Sequence, residues 1–257
     1  MSPPSISHSK AGRQGFKSIE SDVPIHPDRS TIVPKICRFP QPTWPLALAR
    51  EIMASAAESF KTGVDCSIML TGGRSAARLY QAWSELPGFG ALRNIKFYFS
   101  DERCVPPDHM ESNYGLAMRT LFRHGVPEKC EVFRIEANQL DYATAALAYE
   151  RILPSTINIV ILSVGEDGHI ASLFPHSRAL RERKFRVVPV SVSKLPGERI
   201  TVTPTVLSRA QKTFVMALGP VKEAVFYRAL AHPLYIDALP ARIVLNATWV
   251  FETSGPY

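Results

Sequence analysis

The run Ile159-Val-Ile-Leu162 places an apolar side chain at every position, so a strand here is buried on both of its faces. Strands of that kind belong to parallel sheets covered by helices on each side. The rest of the chain keeps the same rhythm. Cys66 to Leu70, Ile95 to Phe99, Glu131 to Ile135 and Thr213 to Leu218 read as strands. Phe185 to Val190 and Arg199 to Val202 look extended, and Ala241 to Leu245 reads as a final buried strand. Helices are expected over Ser75 to Trp83, Ser112 to Phe122, Tyr142 to Ile152 and Val221 to Leu230. A first helix starts at Thr43-Trp-Pro45, with Thr43 as candidate N-cap and Pro45 in the first turn. Its predicted inner face is Leu46, Ala49, Met53, Ala57 and Phe60, and Gly63 ends it. Strands that alternate with helices imply an α/β fold with a mostly parallel sheet covered on both faces.

The segment after the Ile159 strand carries chemistry. Ser163-Val-Gly-Glu-Asp-Gly-His-Ile-Ala-Ser-Leu-Phe-Pro175 sets a carboxylate, Asp167, and an imidazole, His169, among glycines that permit tight turns. Open α/β sheets bind ligands in crevices beyond the carboxyl ends of their strands. A histidine there can serve as a general base near neutral pH. By spacing alone the segment is either such an acid–base site or an ordinary turn with a solvated histidine.

Composition narrows the classes. With 257 residues, 46% of them hydrophobic, the chain can bury a substantial core. A formal net charge of +7 suits anionic substrates such as sugar phosphates. No basic run is interleaved with aromatics, so nucleic-acid binding is not expected. No apolar run approaches the roughly 18–20 residues needed to span a bilayer. The four cysteines form no C-x-x-C pair, which fits reduced thiols in a cytoplasmic setting and no structural metal. Residues 1–33 are rich in Ser, Pro, Lys and Arg. They read as a disordered tail or, less readily, an organelle-targeting segment, ahead of a single domain over 34–257.

Three further clusters stand at strand–helix junctions. Leu70-Thr-Gly-Gly-Arg-Ser75 is a strand, a Gly-Gly turn and a helix start, suited to an anion or to a merely structural turn. Asp101-Glu-Arg103 puts three charges directly after a strand and precedes Ser112-Asn-Tyr-Gly115. Asp101 and Arg103 could hold polar substrate groups or close an internal ion pair. Lys222 sits near a helix start, where a cation opposes the helix dipole. A bound anion would explain both it and Arg199; plain surface positions are the alternative.

Taken in order, Thr71-Gly-Gly, Asp101-Glu-Arg, Ser112-Asn-Tyr-Gly, Gly165-Glu-Asp-Gly-His-Ile-Ala-Ser-Leu-Phe-Pro, Arg199-Ile-Thr, Lys222 and Pro240-Ala-Arg resemble the 6-phosphogluconolactonases and the related glucosamine-6-phosphate isomerases and deaminases. The resemblance runs from about Arg38 to Thr253. Arg103 and Ser172-Leu-Phe-Pro175 favour the lactonase branch. The resemblance implies a doubly wound, Rossmann-like, three-layered α/β fold and hydrolysis of 6-phosphoglucono-1,5-lactone to 6-phosphogluconate, without a cofactor or metal. It implies that His169 is the catalytic base, and Asp167, Asp101 and Arg103 are the candidate catalytic groups around it. It implies a phosphate pocket from the Gly72-Gly73 turn, Arg199 and Lys222, to which Arg74, Ser75 and Asn113 are added as candidate substrate contacts. Arg74 and Ala76 depart from the family pattern, where Ser and Pro are usual. The chain lacks G-x-S-x-G, and Ser172 reads as structural. An amino-sugar-phosphate isomerase or deaminase remains the alternative, with Asp101 as the obvious second acid–base group. A silent sugar-phosphate-binding protein is the third reading. A monomer or small homo-oligomer is expected.

Overall fold

The computed structural model describes residues 33–60, 65–138, 141–231 and 236–253. The predicted tail, apart from Val33, and the helix-ending Gly63 lie outside them. Strand β1 (Lys35–Pro40) leads into α1 (Trp44–Phe60), β2 (Cys66–Leu70), α2 (Arg74–Ser84) and β3 (Arg93–Phe99). Then come β4 (Asp101–Arg103), α3 (Asn113–Thr120), β5 (Lys129–Val132), α4 (Tyr142–Ile152) and β6 (Ile159–Ser163). The chain ends through β7 (Val187–Ser191), β8 (Glu198–Val202), α5 (Pro204–Leu207), β9 (Lys212–Met216), α6 (Pro220–Ala231) and β10 (Thr248–Thr253).

Seven strands form one sheet in the order β1-β10-β9-β6-β2-β3-β5, and every pairing in it is parallel. All five residues of β2 and the first four of β6 are buried, so both faces of the sheet centre are covered, as the apolar runs demand. From β2 the chain winds outward through β3 to β5; from β6 it winds the other way through β9 and β10. The boundary between β2 and β6 is therefore the topological switch point, where open α/β sheets leave a crevice.

Two buried tyrosines hold the ends of β2 and of its other neighbour, β3. The Tyr80 hydroxyl, from α2, accepts the Thr71 N–H at 2.9 Å and donates to the Thr71 carbonyl at 2.8 Å. The Tyr149 hydroxyl, from α4, does the same for Phe99, at 2.6 and 3.0 Å. Burial raises both phenols well above their ordinary range, which keeps them neutral donors.

A second, three-stranded antiparallel sheet, β4-β8-β7, hangs from the first. Its join is Ser100, whose N–H donates to the Leu70 carbonyl and whose carbonyl accepts the Val202 N–H, each at 2.9 Å. β7 is its outer edge, with Pro189 at the centre. The Glu150 carboxylate accepts the Arg186 and Val187 N–H groups beside it, at 2.7 and 3.2 Å.

Two expectations need correction. Ala241 to Leu245 is not a strand: Pro240–Val244 is a 3₁₀ helix, and the last strand is β10. A short apolar run fits either state, and the Pro240 at its start suits a helix N-terminus better than a central strand. The buried face of α1 is Trp44, Leu48, Ile52 and Ala56, with Ala49 beside it; Leu46 and Ala57 are exposed and Met53 half-buried. The Phe60 side chain lies outside the described residues. Both stripes have helical spacing, and the tryptophan decides between them by its larger apolar surface. Thr43 holds the N-cap place through its carbonyl, which accepts the Ala47 N–H, while its hydroxyl donates to the Pro40 carbonyl.

Tyr149→Phe tests the clamp. It leaves two buried backbone groups of Phe99 without a partner, so unfolding free energy should fall by about 2–4 kcal/mol. A urea midpoint equal to that of the wild type would show the clamp to be dispensable.

Candidate active site

The switch point brings the Gly-Gly turn after β2 next to the Asp-Gly-His loop after β6. Gly73 takes φ 95° at the N-cap of α2, a conformation that favours glycine, and no side chain caps that helix. A Cβ on Gly72 would lie 1.8 Å from Asn113 Oδ1, so only glycine fits there. The backbone N–H groups at this helix start are thus left for an outside partner. Arg74 and Ser75 are its first two residues.

The loop after β6 closes on itself. The Gly165 N–H donates to the His169 carbonyl at 2.8 Å, and the Gly168 N–H to the Gly165 carbonyl at 3.0 Å. Asp167 Oδ1 meets His169 Nδ1 at 2.5 Å and the His169 backbone N–H at 3.1 Å. A Cβ on Gly165 would lie 2.1 Å from the imidazole, so that glycine makes room for the ring. The Phe174 ring stacks on the imidazole, with centroids 4.2 Å apart and planes 15° apart. Nδ1 is engaged by Asp167 and one ring face by Phe174, which leaves Nε2 for chemistry. Burial pushes the Asp167 carboxyl up, but its hydrogen bonds to the His169 ring and N–H outweigh this and hold it below its ordinary value.

The Asp-Glu-Arg segment faces inward more than expected. Asp101 is 3% exposed; it accepts the Ser172 hydroxyl at 2.6 Å and the Asn113 amide at 3.2 Å. Ser172 is therefore structural, as its sequence context suggests. Glu102, not singled out for a role, accepts the Asn113 and Tyr114 N–H groups at the start of α3 and the Ser112 hydroxyl. Arg103 donates to the Glu111 carbonyl and carboxylate, at 2.5 and 3.2 Å, and its Nε is buried with no partner among the described residues. Asn113 Oδ1, aimed at Gly72, is a buried acceptor in the same condition.

Arg199 sits opposite Arg103 in the β4–β8 register and is 3% exposed. Its Nε donates to the Pro196 carbonyl and its Nη2 to the Lys194 carbonyl, both at 3.1 Å. Most of the guanidinium expected to clamp phosphate thus holds the β7–β8 turn, and its carbon lies 5.7 Å from the Phe174 ring centroid. Burial, and then the Arg103 charge, lower its hold on its proton, against Asp101 and Glu111.

Lys222 is the third residue of α6, and its Nζ donates to the Ser163 hydroxyl at 3.3 Å. Burial lowers its proton affinity, and the Lys194 and Arg74 charges add to that, with Glu166 opposing them. Lys222, Arg74 and Lys194 make no ion pair with a carboxylate among the described residues. Cations that crowd one another without a counter-ion form an anion-attracting pocket. Lys194 escaped sequence reading because it lies in a turn with no helix start beside it. A cavity of about 590 Å³ flanks the site beyond Phe174, lined by His176, Arg178, Val188 and Val190 among others, and includes neither His169 nor Gly72.

Known proteins share this arrangement of elements. The family model described as glucosamine-6-phosphate isomerases/6-phosphogluconolactonase matches residues 44–251. The 6-phosphogluconolactonase of Mycobacterium tuberculosis is 31% identical over 201 residues, covering 72% of this chain and 81% of the relative. The 6-phosphogluconolactonase of Homo sapiens is 37% identical over 189 residues, covering 68% and 72%. The solved 6-phosphogluconolactonase from Trypanosoma brucei superposes with a TM-score of 0.76 at 26% identity, over 87% of this chain and 98% of that one. The chain thus belongs to the glucosamine-6-phosphate isomerase/6-phosphogluconolactonase family.

Proposed function

We propose that this chain is a 6-phosphogluconolactonase. It hydrolyses 6-phospho-D-glucono-1,5-lactone to 6-phosphogluconate, the second step of the oxidative pentose phosphate pathway. The observation that carries the reading is His169, fixed through Nδ1 by Asp167 and with no partner for Nε2 among the described residues, in the loop after β6 next to the strand that bears the glycine turn. Residues 34–257 act as one catalytic domain, as a monomer or small homo-oligomer in the cytoplasm. Among the described residues no helix is long and apolar enough to cross a membrane.

In this reading the neutral imidazole carries its proton on Nδ1, donated to Asp167, and presents the Nε2 lone pair. A water attacks the lactone carbonyl while Nε2 takes its proton. The carbonyl oxygen becomes an oxyanion, met by the unpartnered Arg103 Nε or by N–H groups of the Gly72-Gly73 turn. Collapse breaks the ring C–O bond, and the imidazolium returns its proton to the departing oxygen. The products are a carboxylic acid and a hydroxyl, and no cofactor is consumed. Lys222, Arg74 and the α2 start with Ser75 hold the phosphate, while Arg199 holds the neighbouring turn. Asn113 Oδ1 offers an acceptor to a sugar hydroxyl, and Asp101 keeps Asn113 and Ser172 in place.

An isomerase or deaminase needs a second acid–base group. Asp101, the expected candidate, is buried and spends its oxygens on Ser172 and Asn113. This favours the lactonase over the isomerase. A histidine held with one ring nitrogen free likewise favours an enzyme over a silent binding protein.

The decisive assay generates the lactone freshly with glucose-6-phosphate dehydrogenase and tracks its loss through 6-phosphogluconate dehydrogenase. Wild-type protein should accelerate hydrolysis over the spontaneous rate, and His169→Asn should lower kcat by about 10²–10⁴-fold. No acceleration, with ammonia released from glucosamine-6-phosphate instead, would replace the lactonase by the deaminase. Lys222→Met should raise KM by about 10- to 100-fold with much less effect on kcat. The sign of its stability effect is opposite. Because the fold lowers the proton affinity of Lys222, its charge costs stability below its folded titration range, and the cost vanishes above the usual lysine value of about 10.4. The ligand-free variant should therefore melt higher than the wild type at pH 7. An unchanged KM would remove Lys222 from the phosphate site.

A further inference from the structure

We infer that Phe174 is a positioning residue for the base: its ring holds the His169 imidazole by its face and supports the imidazolium formed during turnover. This rests on the lactonase reading of His169.

The placement of Phe174 is over-determined. Between His169 and Phe174 the chain turns back sharply, with an isolated bridge between Ile170 and Leu173 and the Leu173 N–H on the Ile170 carbonyl at 3.0 Å. Ala171 sits inside this turn at φ 50°, in the left-handed region that a non-glycine residue adopts only at a cost. Three buried anchors hold the turn against that cost. Ile170 and Leu173 are fully buried, and Ser172 donates to the buried Asp101 carboxylate at 2.6 Å. The result is that a side chain five residues after His169 folds back onto its ring.

The imidazole is then fixed in two independent ways. The bond from Nδ1 to Asp167 sets the ring's direction within its own plane. A hydrogen bond tolerates some tilt of the ring, and the stacked phenyl, 4.2 Å away and 15° from parallel, limits that tilt. The direction of Nε2 is narrowed accordingly. Charge adds a second effect. An aromatic face attracts a cation, so the stack gains strength as the imidazole takes the proton of water. Interactions that strengthen along the reaction raise kcat and not ground-state affinity. The same ring carries the Arg199 guanidinium, at 5.7 Å, which ties the base to the turn that bears Lys194.

The test compares Phe174→Leu with Phe174→Tyr, each with His169 present and in the His169→Asn background. Phe174→Leu should lower kcat by about 3- to 30-fold, the range of a cation–π contact, with KM within about twofold. Phe174→Tyr, which keeps a ring, should retain most of the wild-type kcat. In the His169→Asn background Phe174→Leu should cost nothing further. Nuclear magnetic resonance supplies a readout that needs no turnover. The His169 Hε1 signal, identified by its loss in His169→Asn, should move downfield in Phe174→Leu and stay near its wild-type position in Phe174→Tyr. Equal losses in Phe174→Leu and Phe174→Tyr, or a loss that persists without His169, would reduce the ring to ordinary packing. If the wild type is active and Phe174→Leu matches it, only this inference falls. If the wild type does not accelerate lactone hydrolysis, the lactonase reading falls and takes the inference with it.

Discussion

A tyrosine hydroxyl that serves both the N–H and the carbonyl of one residue is the constraint on which this site rests. At the carboxyl end of a parallel strand the backbone leaves the ladder while still buried, and its polar groups need partners there. Tyr80 meets that need at Thr71 and Tyr149 at Phe99. The next residues, Gly72 and Ser100, are the ones from which the glycine turn and the second sheet depart. Packing of α2 and α4 is thereby converted into the position of two loops.

Charge is sorted by the same geometry. The carboxylates of Asp101 and Glu102 are turned inward and spent on Ser172, Asn113 and the start of α3. The charges of Arg74 and Lys194 bear on Lys222, and none of the three pairs with a carboxylate among the described residues. A pocket that keeps its acids occupied and its bases unpaired selects a ligand that arrives with negative charge. The formal excess of +7 over the whole chain works in the same direction at longer range.

Much of this was legible from the residues because its causes are local. A fully apolar run announces a two-sided strand, and Gly-Gly or Asp-Gly-His after such a run announces a turn at the rim of a sheet. β2, β3, β6 and α4 could be placed from such signals, as could the proximity of Asp167 to His169. The features that could not be read depend on partners far along the chain. Asp101 meets Ser172 across 71 positions of sequence, a buried bond that no local spacing announces. Arg199 is drawn to carbonyls of a turn whose shape no spacing rule foretells. β4 consists of three charged residues, and its strand character comes entirely from pairing with β8. β10 was hidden by the apolar run before it, which mimics a strand while forming a 3₁₀ helix.

The outer edge of β7 has a consequence of its own. Hydrogen-bonded pairs of Arg186 with Thr203 and of Val192 with Gly197 fix the alternation, so Val187, Pro189 and Ser191 direct their backbone groups away from β8. Of the three donors such an edge would offer, proline has none and Glu150 already occupies that of Val187. The edge is left rich in acceptors and poor in donors, a weak template for an incoming strand. Among the described residues, the smaller sheet is thus protected at β7 by its chemistry rather than by a covering strand.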